Sequence, residues 1–167
     1  MQIMFKGSIQ PHYIAVVERI ARQLGKSPSY VEFVVEEDLN GMGLVGVYNP
    51  VLDLVRIAVG RSVHDVEHTI AHELRHVWQY KQVPILYRTN IAAGLFGRHS
   101  DTGYAMSWVE LDAEVYAHWY MGGMEGALYK VPTDWEIYHG HNEETVMHLL
   151  ERYNKVQDLV GAELVLI

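Results

Sequence analysis

A chain of 167 residues is the size of one domain and can bury a core without covalent staples. It has no cysteine, which excludes a disulfide framework and any thiolate metal site, so metal ligands would have to be histidines and carboxylates. A formal charge of −8 with no block of lysine or arginine argues against nucleic acid and anionic membrane as partners, and no run approaches the ~18 apolar residues of a membrane span.

Met1 to Gln10 carries one lysine and lacks the apolar centre of a signal peptide, so cytoplasmic residence is the expectation. Gln10-Pro11 opens a helix on which Ile14, Val17, Ile20, Ala21 and Leu24 recur at helical spacing, and Gly25 is its stop. Tyr30 to Glu36 alternates, with Val31, Phe33 and Val35 on one side, which is a strand pattern; Asn40-Gly41 then makes a turn. Leu44 to Tyr48 and Leu54 to Val59, joined through Asn49-Pro50, form a hairpin. These segments predict a small sheet of three strands or slightly more, mostly antiparallel and packed on helices, in an α+β fold.

Ser62 and Asp65 predict a capped helix start after Gly60, and Pro84 predicts an end near Gln82. Residues 83–106 read as an irregular loop of the length that usually carries function. A third helix opens at Ser107 and closes at Gly122-Gly123; Glu110, Ala113, Glu114 and Ala117 share one stripe of it. A fourth is capped by Asn142, with Val146, Leu149, Leu150 and Tyr153 as its core face, and ends at Gly161. The apolar tail 162–167 should be buried or pair as a strand.

The helix before Pro84 holds His72-Glu73-Leu74-Arg75-His76, the pattern H-E-x-x-H. Histidines four residues apart lie one turn apart on one face, so both imidazoles can reach a single ion, while the glutamate after the first can address a water there. At about 100° per residue, Val63, Val66, Ile70, Leu74 and Val77 gather on the opposite side, with Glu73 between the two faces. The apolar stripe packs; the histidines line a cleft.

A catalytic zinc takes three protein ligands and an open position, so the pair needs a partner. Glu110 is the best candidate, since it lies on the next helix with a second carboxylate, Glu114, one turn further on. One carboxylate can bind metal while the other orients a ligand imidazole. The competing reading of Glu110 is a capping box with Ser107, and His118 is the reserve ligand. His64 and His68 continue the four-residue spacing but drift about 40° per step, which suits solvent or supporting roles better than a second metal.

The two motifs together, H-E-L-x-H and then Glu110-Leu111-Asp112-Ala113-Glu114, resemble the gluzincin metallopeptidases, whose second motif is E-x-x-A-D. The order of strands, active-site helix and glutamate helix resembles the small members called minigluzincins. The resemblance implies a zincin-like fold, His72, His76 and Glu110 as ligands of one zinc ion, Glu73 as general base, and Glu114 in place of a supporting aspartate. Glutamate instead of aspartate there is a departure that bears on the geometry of the supporting hydrogen bond.

The expectation is therefore a single zincin-like domain, residues 1–167, that hydrolyses a peptide or protein substrate. Tyr87, His99, Tyr104, His139 and His141 are the candidates for stabilising an oxyanion. An extended substrate should lie along the strand ending at Val59 and Gly60. The alternatives are a silent or latent zincin-like regulatory protein and a zinc that only holds helices together. The sequence says nothing of oligomeric state.

Overall fold

The computed structural model describes residues 2–41, 43–82, 84, 87–88 and 108–121. The chain divides into two compact units, Met1–Pro84 and Ile85–Ile167. The first contains β1 (Met4–Gly7), α1 (Pro11–Leu24), β2 (Tyr30–Val34), β3 (Gly46–Asn49), β4 (Leu54–Ala58) and α2 (Val63–Gln82). In the second, the helix α3 (Trp108–Tyr120) is described.

Helix α1 begins with Pro11 in its first turn, where a missing N–H costs nothing, and stops at Gly25, whose φ of 65° is left-handed. Its buried face is Tyr13, Val16, Val17, Ile20, Ala21 and Leu24, with Ile14 only half-buried at the rim. Burial raises the pKa of the Tyr13 hydroxyl, and the negative charge of Glu67 raises it further.

The sheet has four strands in the order β1-β2-β4-β3. β1 and β2 are parallel, β2 and β4 are parallel, and only β3 and β4 are antiparallel. Four strands fall within the expected three or slightly more, but the mostly antiparallel expectation is corrected to a mixed sheet in which parallel pairings predominate. The physical reason lies in two connections. β1 is too short to show a period-two pattern, and α1 carries the chain back across the sheet so that β2 runs beside β1 in the same direction. β4 then inserts between β2 and β3.

The hairpin is where the sequence placed it, and Asn49 Oδ1 accepts hydrogen bonds from the Val51 and Leu52 N–H groups at 3.0 and 3.1 Å to shape its turn. Because β4 is paired on both sides, it offers no edge to a peptide; on that flank the terminal strand among the described residues is β3. β2 stops at Val34, and Val35, expected on its buried side, is exposed.

Val31 and Phe33 of β2 and Val55 and Ile57 of β4 are buried, as are Val66, Ile70, Leu74 and Val77 of α2. Each such side chain contributes about 1.5–3 kcal/mol relative to exposure. Val63 leaves the predicted stripe and is exposed in the first turn. Between the buried positions of β2 and β4, Glu32 lies opposite Arg56 and accepts its Nε–H at 2.7 Å. Helix α2 packs on α1, β3 and β4.

One carboxylate ties the last turn of α2 to the sheet. Asp53 Oδ2 accepts from the Ser29 N–H at 2.9 Å, the Ser29 hydroxyl at 2.6 Å and Lys81 Nζ at 2.8 Å, while Oδ1 accepts from the Tyr48 hydroxyl at 3.0 Å. Burial pushes its pKa up, but the hydrogen bonds from Lys81, Ser29 and Tyr48 and the Lys81 charge outweigh it, and the net direction is down.

In α3, Val109, Asp112, Ala113, Glu114, Tyr116 and Ala117 are buried and Glu110 is half-buried. The fourth helix from Asn142, the tail 162–167, Ser107, His99, Tyr104, His139, His141 and the His118 side chain lie outside the described residues. Within 83–106 the described residues are Pro84, Tyr87 and Arg88, all helical where a loop was expected, and Tyr87 is buried. Among the described residues no helix is long and apolar enough to cross a membrane.

Candidate metal centre

The phase of α2 is set at its start. Ser62 Oγ accepts the Asp65 N–H at 3.2 Å and donates to Asp65 Oδ2 at 2.6 Å, so the predicted cap is formed. Seven residues beyond Asp65, the helix presents the first histidine of the pair.

His72 and His76 stand edge to face, with ring centroids 4.7 Å apart, and their Nε2 atoms are 3.0 Å apart. Two nitrogens at about 2.0–2.1 Å from one tetrahedral zinc would be about 3.3 Å apart. The pair therefore already has nearly the spacing one ion requires. His76 is buried and His72 half-buried.

The tautomer of His76 follows from its neighbour. Nδ1 lies 2.8 Å from Oε1 of the fully buried Gln79, and an amide oxygen only accepts, so Nδ1 carries the proton and neutral His76 keeps a lone pair on Nε2. That is the arrangement a histidine ligand needs. The sequence reading missed Gln79, although its place three residues after His76 was a usable signal.

Glu73 is buried one position after His72, beside the first residue of β3. A Cβ at Gly46 would lie 2.7 Å from both Cγ and Oε1 of Glu73 and 2.6 Å from Cγ2 of Thr69, so only glycine fits against these two side chains as they stand. Gly46 also went unnoticed in the sequence. A glycine inside an otherwise apolar strand pattern is the sign of such a close approach.

The burial of α2 is not confined to its apolar stripe. Thr69, Glu73, Arg75, His76 and Gln79 are buried as well, and the Arg75 guanidinium lies 3.8 Å from the centre of the Trp78 ring. Burying this many polar groups is costly unless they are hydrogen-bonded, and an amphipathic surface helix has no use for them. His64 is exposed, 3.9 Å from Asp65, and His68 is half-buried. On α3, Glu110 is half-buried in the first turn and Glu114 is buried one turn on. Two imidazoles at this spacing are donors of the kind that suit zinc among other divalent metals.

No family model, curated protein or solved structure matches this chain.

Proposed function

We propose that the protein is a zinc-dependent metallopeptidase of the gluzincin kind, with one zinc per chain held by His72, His76 and Glu110 and with Glu73 as general base. The observation that carries this reading is the convergence of the two Nε2 atoms at 3.0 Å, with His76 held in the ligand tautomer by Gln79. His72 and His76 each offer one ring nitrogen, and the carboxylate of Glu110 is proposed as the third ligand.

Bound zinc would supply Lewis acidity toward a peptide carbonyl and would acidify water. Glu73 takes a proton from the attacking water and returns it to the departing amine, so the peptide bond is cleaved without a covalent enzyme intermediate. Glu114 supports a ligand imidazole. Substrate backbone is received by β3. Val45 O accepts the Ala58 N–H at 2.9 Å, so in the antiparallel alternation Val47 and Asn49 also bond to β4, and the peptide groups of Tyr48 and of Gly46, which packs against Glu73, turn away from β4.

A purely structural zinc has no need of a buried carboxylate next to its ligand, which favours turnover over a scaffolding role. The test is metal analysis of the purified protein together with hydrolysis of unfolded casein or a random peptide library by wild type and Glu73→Gln. The expected result is about one zinc in both proteins and cleavage by wild type alone. Zinc binding without any cleavage would replace this reading with that of a regulatory zinc protein.

A further inference from the structure

Among the described residues β1 is the other terminal strand of the sheet, on the flank opposite β3. The Met4 and Ser8 N–H groups donate to Ser29 O and Phe33 O, both at 2.9 Å, so in the parallel alternation Lys6 also bonds to β2. The peptide groups of Phe5 therefore turn away from β2, toward the open edge. Gly7 O, the next outward carbonyl, already accepts the Ile9 N–H at 2.9 Å. The Phe5 ring lies on the α1 side of the sheet, stacked on Phe33 with centroids 6.3 Å apart, and Phe33 in turn meets Tyr13 of α1.

Between β1 and the outer side of α1 runs an open groove of about 990 Å³, with Ile3, Phe5, Ile14 and Ala21 as its apolar lining. Its charges are unevenly spread. Arg22 and Lys26 line the end beside the start of β1, because α1 runs back along the sheet and the chain after it reaches Ser29, whose carbonyl holds Met4. Lys81 also lines the groove, but its ammonium is held by Ser27 O and Asp53. Arg22 and Lys26 take part in no ion pair among the described residues. Glu18 stands one turn of α1 further from that end. In a chain of net charge −8, this apolar groove thus carries two uncompensated cations at one end.

We infer that the groove receives the carboxyl-terminal end of an extended peptide, which adds to β1 as an antiparallel strand with its terminal carboxylate against Arg22 and Lys26. The orientation follows from two observations. Antiparallel pairing is slightly the more stable per residue, and it runs the peptide toward the start of β1, where the cations stand. A parallel peptide would bring its ammonium group there instead. The N–H and C=O of Phe5 exchange hydrogen bonds with one peptide residue, and alternate side chains of the peptide cover Ile3 and Phe5. An acyl carboxylate would satisfy the cations and the apolar lining but would leave the Phe5 peptide groups against methylenes, which is costly. Glu18 repels acidic side chains upstream, so negative charge is accepted at the end of the peptide. The site lies across the sheet from β3 and does not depend on the peptidase reading.

The experiment titrates the full-length, ¹⁵N-labelled Glu73→Gln chain, chosen so that the probe stays intact. The probes are acetyl-Thr-Val-Thr-Val-Thr-Val with a free carboxylate, the same peptide as its C-terminal amide, and decanoate. Amide chemical shifts should move at residues 3–7 and 22–26 with the free peptide. Amidation of the peptide, or Arg22→Ala/Lys26→Ala in the protein, should each weaken Kd by about tenfold, the effect of losing a charge-assisted contact. Because amidation alters the probe alone, it reads the charge contact without any question of folding. Shifts confined to residues 46–49, equal affinity for acid and amide, or tighter binding of decanoate at residues 3–7 would overturn the inference. So would shifts at β1 that grow with protein concentration alone, which would make the occupant a second copy of the chain, and the absence of any shift at about 1 mM peptide.

Discussion

Oε1 of Gln79 stands 2.8 Å from Nδ1 of His76, one turn further along the same helix, and assigns the proton of that imidazole to Nδ1. Replacing Gln79 with leucine keeps the volume and removes the acceptor. Metal affinity should then weaken by about 10- to 100-fold, as when other partners of ligand histidines are removed. Competition with a chromophoric chelator measures this, and an unchanged Kd would show that the tautomer is set by something else.

His72→Ala and His76→Ala should each abolish metal binding, because each breaks the imidazole pair whose spacing matches one ion. Glu110→Ala should weaken it strongly without abolishing the fold. Isothermal titration with zinc separates the cases. Full affinity in Glu110→Ala together with its loss in His118→Ala would move the third ligand from Glu110 to His118.

Asp53 makes stability depend on pH in a direction that follows from its lowered pKa. A carboxyl with a lower pKa in the folded chain stabilises it above the unfolded value of about 3.9, and that contribution is lost as pH falls through the folded value. Asp53→Asn is a clean probe, since asparagine tolerates the positive φ of 49° at this position. The variant should be about 2 kcal/mol less stable at pH 7, from the loss of charge-assisted hydrogen bonds. The deficit should shrink below about pH 4 as the wild-type carboxyl protonates. Urea unfolding at pH 7 and pH 3 gives both values, and a deficit that grows on acidification would reverse the assigned direction.

Local signals in the sequence were legible where local energetics decide the outcome. Pro11, Gly25, Ser62 and Asp65 mark helix ends that the folded chain uses, because caps and left-handed stops act over a few residues. The H-E-x-x-H spacing likewise specifies its own geometry, and His72 and His76 converge. Strand direction is not local. Met4–Gly7 has too few residues to declare itself, and its parallel pairing with β2 depends on where α1 returns the chain. Val63 and Val35 fit their periodic patterns but sit at element ends, where the cover on the stripe runs out. Gln79 and Gly46 were missed for a related reason: their roles are defined by a side chain on another turn or another element, not by their own neighbours in sequence.

The outward peptide groups of Gly46 and Tyr48 predict how a substrate is read. A peptide added to β3 as a further strand would exchange hydrogen bonds with these two residues, so only every second substrate residue would bond to the enzyme backbone. N-methylation removes one donor at a time and leaves the side chain in place. Scanning N-methyl groups along a cleaved peptide should therefore give a period-two pattern, with KM raised about fivefold to tenfold at the bonded positions, the effect of losing one hydrogen bond of about 1–1.5 kcal/mol. Alternate positions should be nearly silent. A flat scan, or one with no alternation, would mean that the peptide does not pair with β3, and would point to recognition through side chains alone.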